Sequence, residues 1–187
     1  MVPAERFCLA AAVYGVLRDG DRVLLQRRAG SGYHDGELSL PAGHLDGGED
    51  ALGGLVRELH EELTIGVDRN ACRLALVMHR SPETPGDHEY LDLFFAVSHW
   101  VGVPAIGEPD KCSELVWVNS AAVPADTIGY IRAALDAVAA GTPPLLSYGW
   151  DVSQPGRSGA GLDGAVEGDE PVPLDLGQAG DRQILRH

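Results

Sequence analysis

The chain of 187 residues has room for one domain with an appendage, or at most two small domains. Its hydrophobic fraction of 44% is enough for a real core, and its net charge of −14 argues against a nucleic-acid-binding surface, which needs a basic patch or stripe. Three cysteines, Cys8, Cys72 and Cys112, form no C-x-x-C pair, so they read as thiols of a reducing, cytoplasmic compartment rather than a disulfide framework or zinc site.

The N-terminal FCLAAAVYGVL is apolar, but only Arg6 leads it and it runs straight into RDGDRVLLQRR. It therefore reads as a strand entering a hairpin, not as a signal peptide. No stretch reaches the apolar length of a transmembrane helix, so no membrane partner is expected. Residues 7–17 and 22–26 form two strands around the turn residues Asp19 and Gly20. Arg27, Arg28 and the glycine-rich AGSGYHDGE follow as a loop, and 38–41 is a short strand. Residues 50–63 keep helical spacing, with Ala51, Leu52, Leu55, Val56, Leu59 and Leu63 as an apolar stripe. Residues 73–80 read as a strand, SPETPGDHE as a loop, 90–98 as a long strand, and 115–118 as another with Trp117 in the core. A second helix spans 126–140, and Pro143-Pro144 stops it. Strands mixed with two helices imply an α/β sandwich, with a mixed sheet between helices. From 143 to 187 the chain turns Gly/Pro-rich, mostly acidic among its charges, and aperiodic, as a flexible tail does. The apolar LLSYGW (145–150) is the exception and would tuck against the domain or against a second copy in a homodimer.

The run 43–65, GHLDGGEDALGGLVRELHEELTI, carries the chemistry. Glu58, Glu61 and Glu62 are spaced i, i+3, i+4 and share one helix face. Like charges so placed destabilise a free helix, and a hard divalent cation such as Mg²⁺, with carboxylate, water and phosphate oxygens around it, removes the conflict.

This segment resembles the Nudix hydrolase signature, G-x5-E-x7-R-E-U-x-E-E-x-G-U with U aliphatic. Gly43, Glu49, Arg57, Glu58, Leu59, Glu61, Glu62 and Ile65 stand at the matching positions. Thr64 replaces the late glycine, and a glycine comes two residues on at Gly66. Thr is poor at φ > 0, so the helix is expected to run on and end at Gly66. The resemblance covers about residues 7–140 and implies a Nudix-type α/β/α sandwich over 1–142.

The resemblance implies metal-assisted attack of water on a diphosphate linkage. Glu58, Glu61, Glu62 and the carbonyl of Ala42 would hold Mg²⁺, or Mn²⁺ in its place, and Glu49 would pair with Arg57. Glu89, just before the strand YLDLFFAV, is the candidate for reaching the metal or the attacking water. Arg27 or Arg28 would grip phosphate, because Arg meets phosphate oxygens bidentately. His44 would touch phosphate or stay behind the ligands. The stretch EPDKCSELVWV (108–118) is similar to one in nucleoside-triphosphate Nudix enzymes, which puts Asp126 and Tyr130 where base contacts would lie. The substrate expected is a small phosphorylated molecule, a nucleoside triphosphate or another nucleoside diphosphate derivative. The alternatives are an ADP-ribose or nucleotide-sugar pyrophosphatase and a non-catalytic nucleotide sensor on the same fold.

Overall fold

The computed structural model describes residues 7–141 and 144–151. The chain divides into two units at Asp151, and the second, 152–187, lies outside the described residues. Most of the segment expected as a tail falls there.

β1 (Ala10–Asp19) and β2 (Arg22–Arg28) form a hairpin in which Asp19 pairs with Arg22. The turn is therefore Gly20-Asp21, one residue later than expected, with Gly20 at φ 62° as a tight two-residue turn requires. Beyond that tip the strands part. β1 pairs antiparallel with β4 (Ala42–His44) and parallel with β6 (Tyr90–Val97), while β2 pairs antiparallel with β3 (Leu38–Ser39) and β7 (Cys112–Asn119). β5 (Cys72–Arg80) lies antiparallel to β6, and β8 (Leu145–Tyr148) runs parallel to β5 at the edge. The strand expected at 38–41 is thus shortened to β3, and a separate strand, β4, follows at Ala42–His44.

Period-two alternation on β1 sends Ala12, Tyr14 and Val16 to one face and Val13 and Leu17 to the other. α1 (Ala51–Leu63) covers the second face with Leu55, Leu59 and Leu63, each at most 1% exposed. Burial of each such side chain contributes about 2 kcal/mol. α2 (Gly129–Ala140) covers the first face with Tyr130, Ile131, Ala134 and Leu135. The architecture is the α/β/α sandwich expected. α1 packs closely on β1 at Gly15, where a Cβ would press into Leu59.

α2 begins three residues later than expected. Leu38 forms a bridge to Thr127, the Leu38 N–H donates to the Asp126 carbonyl, and the Ile128 N–H donates to the Leu38 carbonyl. Those bonds hold 126–128 extended until Gly129.

α1 is capped by Asp50, whose side chain accepts from the Gly53 N–H. It ends at Leu63, and Thr64 itself adopts the left-handed conformation at φ 57°, its N–H donating to the His60 carbonyl. The expected extension to Gly66 is therefore wrong. Gly66 is occupied otherwise: it exchanges two backbone bonds with Val101, at 2.9 and 2.8 Å. Packing overrides Thr64's preference, at a cost of about 1–2 kcal/mol.

LLSYGW is part of the first unit. The Val77 N–H donates to the Pro144 carbonyl at 2.7 Å, Trp150 Nε1 donates to the His79 carbonyl at 3.0 Å, and Tyr148 packs edge-on against Tyr130. The first unit therefore runs to Asp151, beyond the boundary expected at 142.

Two outcomes follow. Thr64→Gly raises folding stability by about 1 kcal/mol, a melting shift of roughly 3 °C, with turnover unchanged. Equal or lower stability by thermal unfolding would contradict the strain assigned to Thr64. A chain ending at Gly141 melts below one ending at Asp151 by about 5–10 °C, because it uncovers the edge of β5 and the Trp150 contact. Equal melting would show that β8 adds nothing.

Candidate active site

Arg57 organises the acidic helix. Its Nη2 and Nε donate to the Glu49 carboxylate at 2.6 and 3.2 Å. Nη1 donates to Glu58 Oε1 at 2.7 Å and to Glu61 Oε2 at 3.1 Å, and Nη2 also reaches the His44 carbonyl at 3.1 Å. One guanidinium thus joins the loop, the helix and β4, and the carboxylates hold its pKa well above normal. In turn Arg57 keeps Glu49 below the usual carboxylate range.

Glu58 and Glu62 point inward. The Glu58 carboxyl lies directly over the Cα of Gly43, where any Cβ would overlap it. This close approach explains why a glycine stands there. Burial raises the Glu58 pKa, and Arg57 offsets part of the rise. Glu62 is 8% exposed and accepts from Gln26 Nε2 at 3.0 and 3.1 Å and from the Ala42 N–H at 2.8 Å. These neutral donors do not offset the loss of water, and burial pushes its pKa up to about 7.

Both carboxylates line a cavity of about 1090 Å³. Ala42, Gly43, His44 and Asp46 stand beside them on the wall, together with Glu108 and Lys111. Glu108 was not expected here. Gly107 brings it in: its N–H donates to the Glu62 carbonyl at 2.9 Å, and a Cβ at 107 would collide with the Glu61 carbonyl. Lys111 Nζ donates to Glu108 Oε1 at 2.8 Å, and the charge of Glu108 raises the pKa of Glu58 and Glu62 further. The signal was present in EPDKC, an acid with a lysine three residues on.

The rest of the wall is formed by Arg28, the loop residues Ser31, Gly32, Tyr33 and His34, and the 83–87 segment with Tyr90, Arg80 and Tyr130. Arg28 is held by the Tyr33 carbonyl at 2.8 Å and by Ser31 Oγ at 3.0 Å.

Among the described residues, Arg27, Glu61, Glu89 and Asp126 do not line this cavity. Arg27 donates to Glu114, Asp126 and the Gly36 carbonyl, each at 2.8 Å, locking β2 to β7 and to the approach of α2. In this structure Arg27, expected to grip phosphate, and Asp126, expected to read a base, are engaged with each other. Glu61 is drawn onto Arg57, and Glu89 faces His79 at 3.4 Å, while the next residue, Tyr90, reaches the cavity. Tyr130 is 4% exposed, so it is a wall residue rather than helix surface.

Arg80 is the second unexpected feature. It is 2% exposed, pairs through Nε with Asp92 Oδ2 at 2.8 Å, and sits 4.1 and 4.2 Å from the rings of Tyr90 and Tyr130. Each desolvated cation–π contact contributes about 2 kcal/mol against the cost of burying the charges. The sequence signal was a charge inside each of two apolar strands, brought diagonal by the β5–β6 register.

Among the described residues, no three carboxylate or imidazole groups form a ready metal cage. The donor set nevertheless suits a hard cation. Glu58 and Glu62 are oxygen donors held inward against their own repulsion, and Glu62 has no cationic hydrogen-bond donor among the described residues. With the Ala42 carbonyl they would hold it, and Glu61 would join on leaving Arg57.

The chain shares its fold with solved structures. The MutT NUDIX hydrolase of Burkholderia pseudomallei is 24% identical, covering 68% of this chain and 95% of that one, with a TM-score of 0.62. A NUDIX hydrolase of Nitrosomonas europaea is 21% identical, covering 72% and 91%, with a TM-score of 0.62. The MutT protein of Bacillus halodurans is 21% identical, covering 75% and 87%, with a TM-score of 0.58. No curated protein matches the sequence. The family model of the NUDIX domain matches residues 6–135, well over half of the chain. The motif residues on α1 and β4 therefore stand in the setting of that domain, and the chain belongs to the Nudix hydrolase family as one of its enzymes.

Proposed function

We propose that this enzyme is a divalent-cation-dependent pyrophosphohydrolase cleaving a diphosphate linkage in a nucleoside triphosphate or another nucleoside diphosphate derivative. One observation supports this above the rest: Glu58, Glu62 and Glu108 share the wall of a single cavity with Arg28 and Lys111. Carboxylates for a cation and cations for phosphate stand side by side. Mg²⁺, with Mn²⁺ as the alternative, would when bound polarise a phosphoryl oxygen and lower the pKa of the attacking water.

The chain's own residues do the remainder. Glu58 and Glu62 would hold the cation, and Gly43 leaves the space that Glu58 needs. Arg28, fixed through its Tyr33 and Ser31 bonds, meets phosphate oxygens. Glu108 replaces Glu89 as the further carboxylate and takes the proton of the attacking water, with Lys111 holding it in place. Cleavage falls at a diphosphate bridge, since a lone phosphate offers too few oxygens for both groups.

A second reading stays within the same chemistry. At about 1090 Å³ the cavity is at the upper end of small-ligand sites, which leaves room for a sugar or second nucleoside beyond the diphosphate, as in ADP-ribose or a nucleotide sugar. Turnover of nucleoside triphosphates against ADP-ribose and nucleotide sugars, with product identification, separates the two. No hydrolysis of any of them in Mg²⁺ would refute the proposal.

Glu58→Gln lowers kcat about 10²-fold or more on every substrate while melting at or above the parent temperature, since a raised pKa marks a charge the fold bears at a cost. Near-native turnover would remove Glu58 from the site. The pH dependence is set by Glu62. Its folded pKa of about 7 lies above the unfolded carboxylate value of about 4.3, so its contribution to metal-free stability is full below about pH 4.3 and lost as pH rises through 7. A cation needs the ionised form. The thermal stabilisation by Mg²⁺ therefore grows between pH 5.5 and 8, and a pH-independent shift would contradict the assignment of Glu62.

A further inference from the structure

A second part of the cavity wall is built around one guanidinium. Arg80 lies on β5, its partner Asp92 on β6, and both are buried, at 2% and 0% exposure. Tyr90 and Tyr130 stand over the guanidinium at 4.1 and 4.2 Å. Arg80 Nη1 also meets the Tyr33 hydroxyl at 3.4 Å, and Glu83 Oε1 at 3.7 Å. Glu83 Oε2 in turn accepts from the Tyr33 hydroxyl at 3.1 Å and bonds His34 Nε2 at 2.8 Å. One buried cation thus fixes residues from β5, β6, α2 and two loops, all facing the same space.

A core does not require this. A buried ion pair replaced by apolar side chains of similar volume is often as stable or more so, so stability alone does not account for Arg80 and Asp92. What the pair supplies is orientation. Arg80 fixes the planes of two tyrosines, and of these Tyr90 is only partly buried and lines the cavity, 5.9 Å from the His44 ring next to the motif glycine. A guanidinium also draws π density from the ring it covers, which favours stacking of an electron-rich flat ring on that tyrosine.

We propose that Arg80 is a positioning residue for substrate recognition: clamped between Tyr90 and Tyr130 and tied to Asp92, it fixes Tyr90 as the surface on which the planar ring of the substrate stacks. The substrate class is then a phosphorylated molecule bearing a heteroaromatic ring, with the ring on Tyr90 and the diphosphate by Glu58 and Glu62. The inference rests on the diphosphate reading for its second half only. It also moves ring recognition from Asp126, which Arg27 occupies, to the strand β6.

The test separates the two halves by omitting phosphate. Adenosine, guanosine, cytidine and uridine are titrated against the metal-free protein by NMR chemical-shift changes, with ribose as the ring-free control. At least one nucleoside binds at least tenfold more tightly than ribose. Tyr90→Leu abolishes that preference, Tyr90→Phe keeps it, and the double variant Arg80→Met/Asp92→Leu weakens it about tenfold with the ring of Tyr90 still present. In Mg²⁺, Tyr90→Leu raises KM for the matching nucleoside triphosphate about tenfold more than it raises KM for methyl triphosphate. Absence of any nucleoside preference in the parent, its survival in Tyr90→Leu, or its undiminished strength in the folded double variant overturns the proposal. If the double variant does not fold, the two Tyr90 variants decide. Lack of hydrolysis with nucleoside preference intact refutes the diphosphate reading and leaves this one standing.

Discussion

The acidic helix depends on one arginine. Four glutamates within fourteen residues would drive the loop and helix apart, and Arg57 is the cation that links three of them to the backbone of β4. The fourth, Glu62, is left with the neutral donors of Gln26 and Ala42. That division makes the site. Glu49 and Glu61 are satisfied by Arg57 outside the cavity, Glu58 reaches the same guanidinium from within it, and the unmet demand for positive charge is concentrated on Glu62. A cation arriving there meets carboxylates that the fold has already confined.

Buried charge recurs across the same cavity with the opposite resolution. Arg80 and Asp92 neutralise each other, and aromatic rings take the place of water around the guanidinium. A charge buried with its counter-ion becomes a rigid strut, whereas a carboxylate buried without one, as Glu62 is, remains open to a ligand. One wall is therefore suited to holding shape and the other to binding a cation and phosphate.

Much of this was legible in the sequence, and the reasons for the failures are physical. The stripe on α1, the hairpin of the first two strands and the spacing of the motif are local patterns, so the sandwich and the shared helix face of Glu58 and Glu62 could be read directly. The start of α2, the cap at Thr64 and the strand at Leu145–Tyr148 depend on partners far along the chain: Leu38 for 126–128, packing beyond the helix for Thr64, and the free edge of β5 for β8. Side-chain choice is similarly non-local. Arg27 was a sound phosphate candidate by type, yet Glu114 and Asp126 converge on it, and Glu89 lies one residue out of phase with the cavity that Tyr90 enters. Glu108 belongs to the site only because Gly107 presses against the end of α1.

The central claim is that confined carboxylates make a cation site on the wall of the cavity that the tyrosines also line. Anomalous diffraction from crystals soaked in Mn²⁺ tests it most directly. The account predicts a peak within about 2.2 Å of carboxylate oxygens of both Glu58 and Glu62, lost in crystals of Glu58→Gln. Manganese bound only elsewhere on this strongly acidic chain, with neither glutamate in reach, would contradict it.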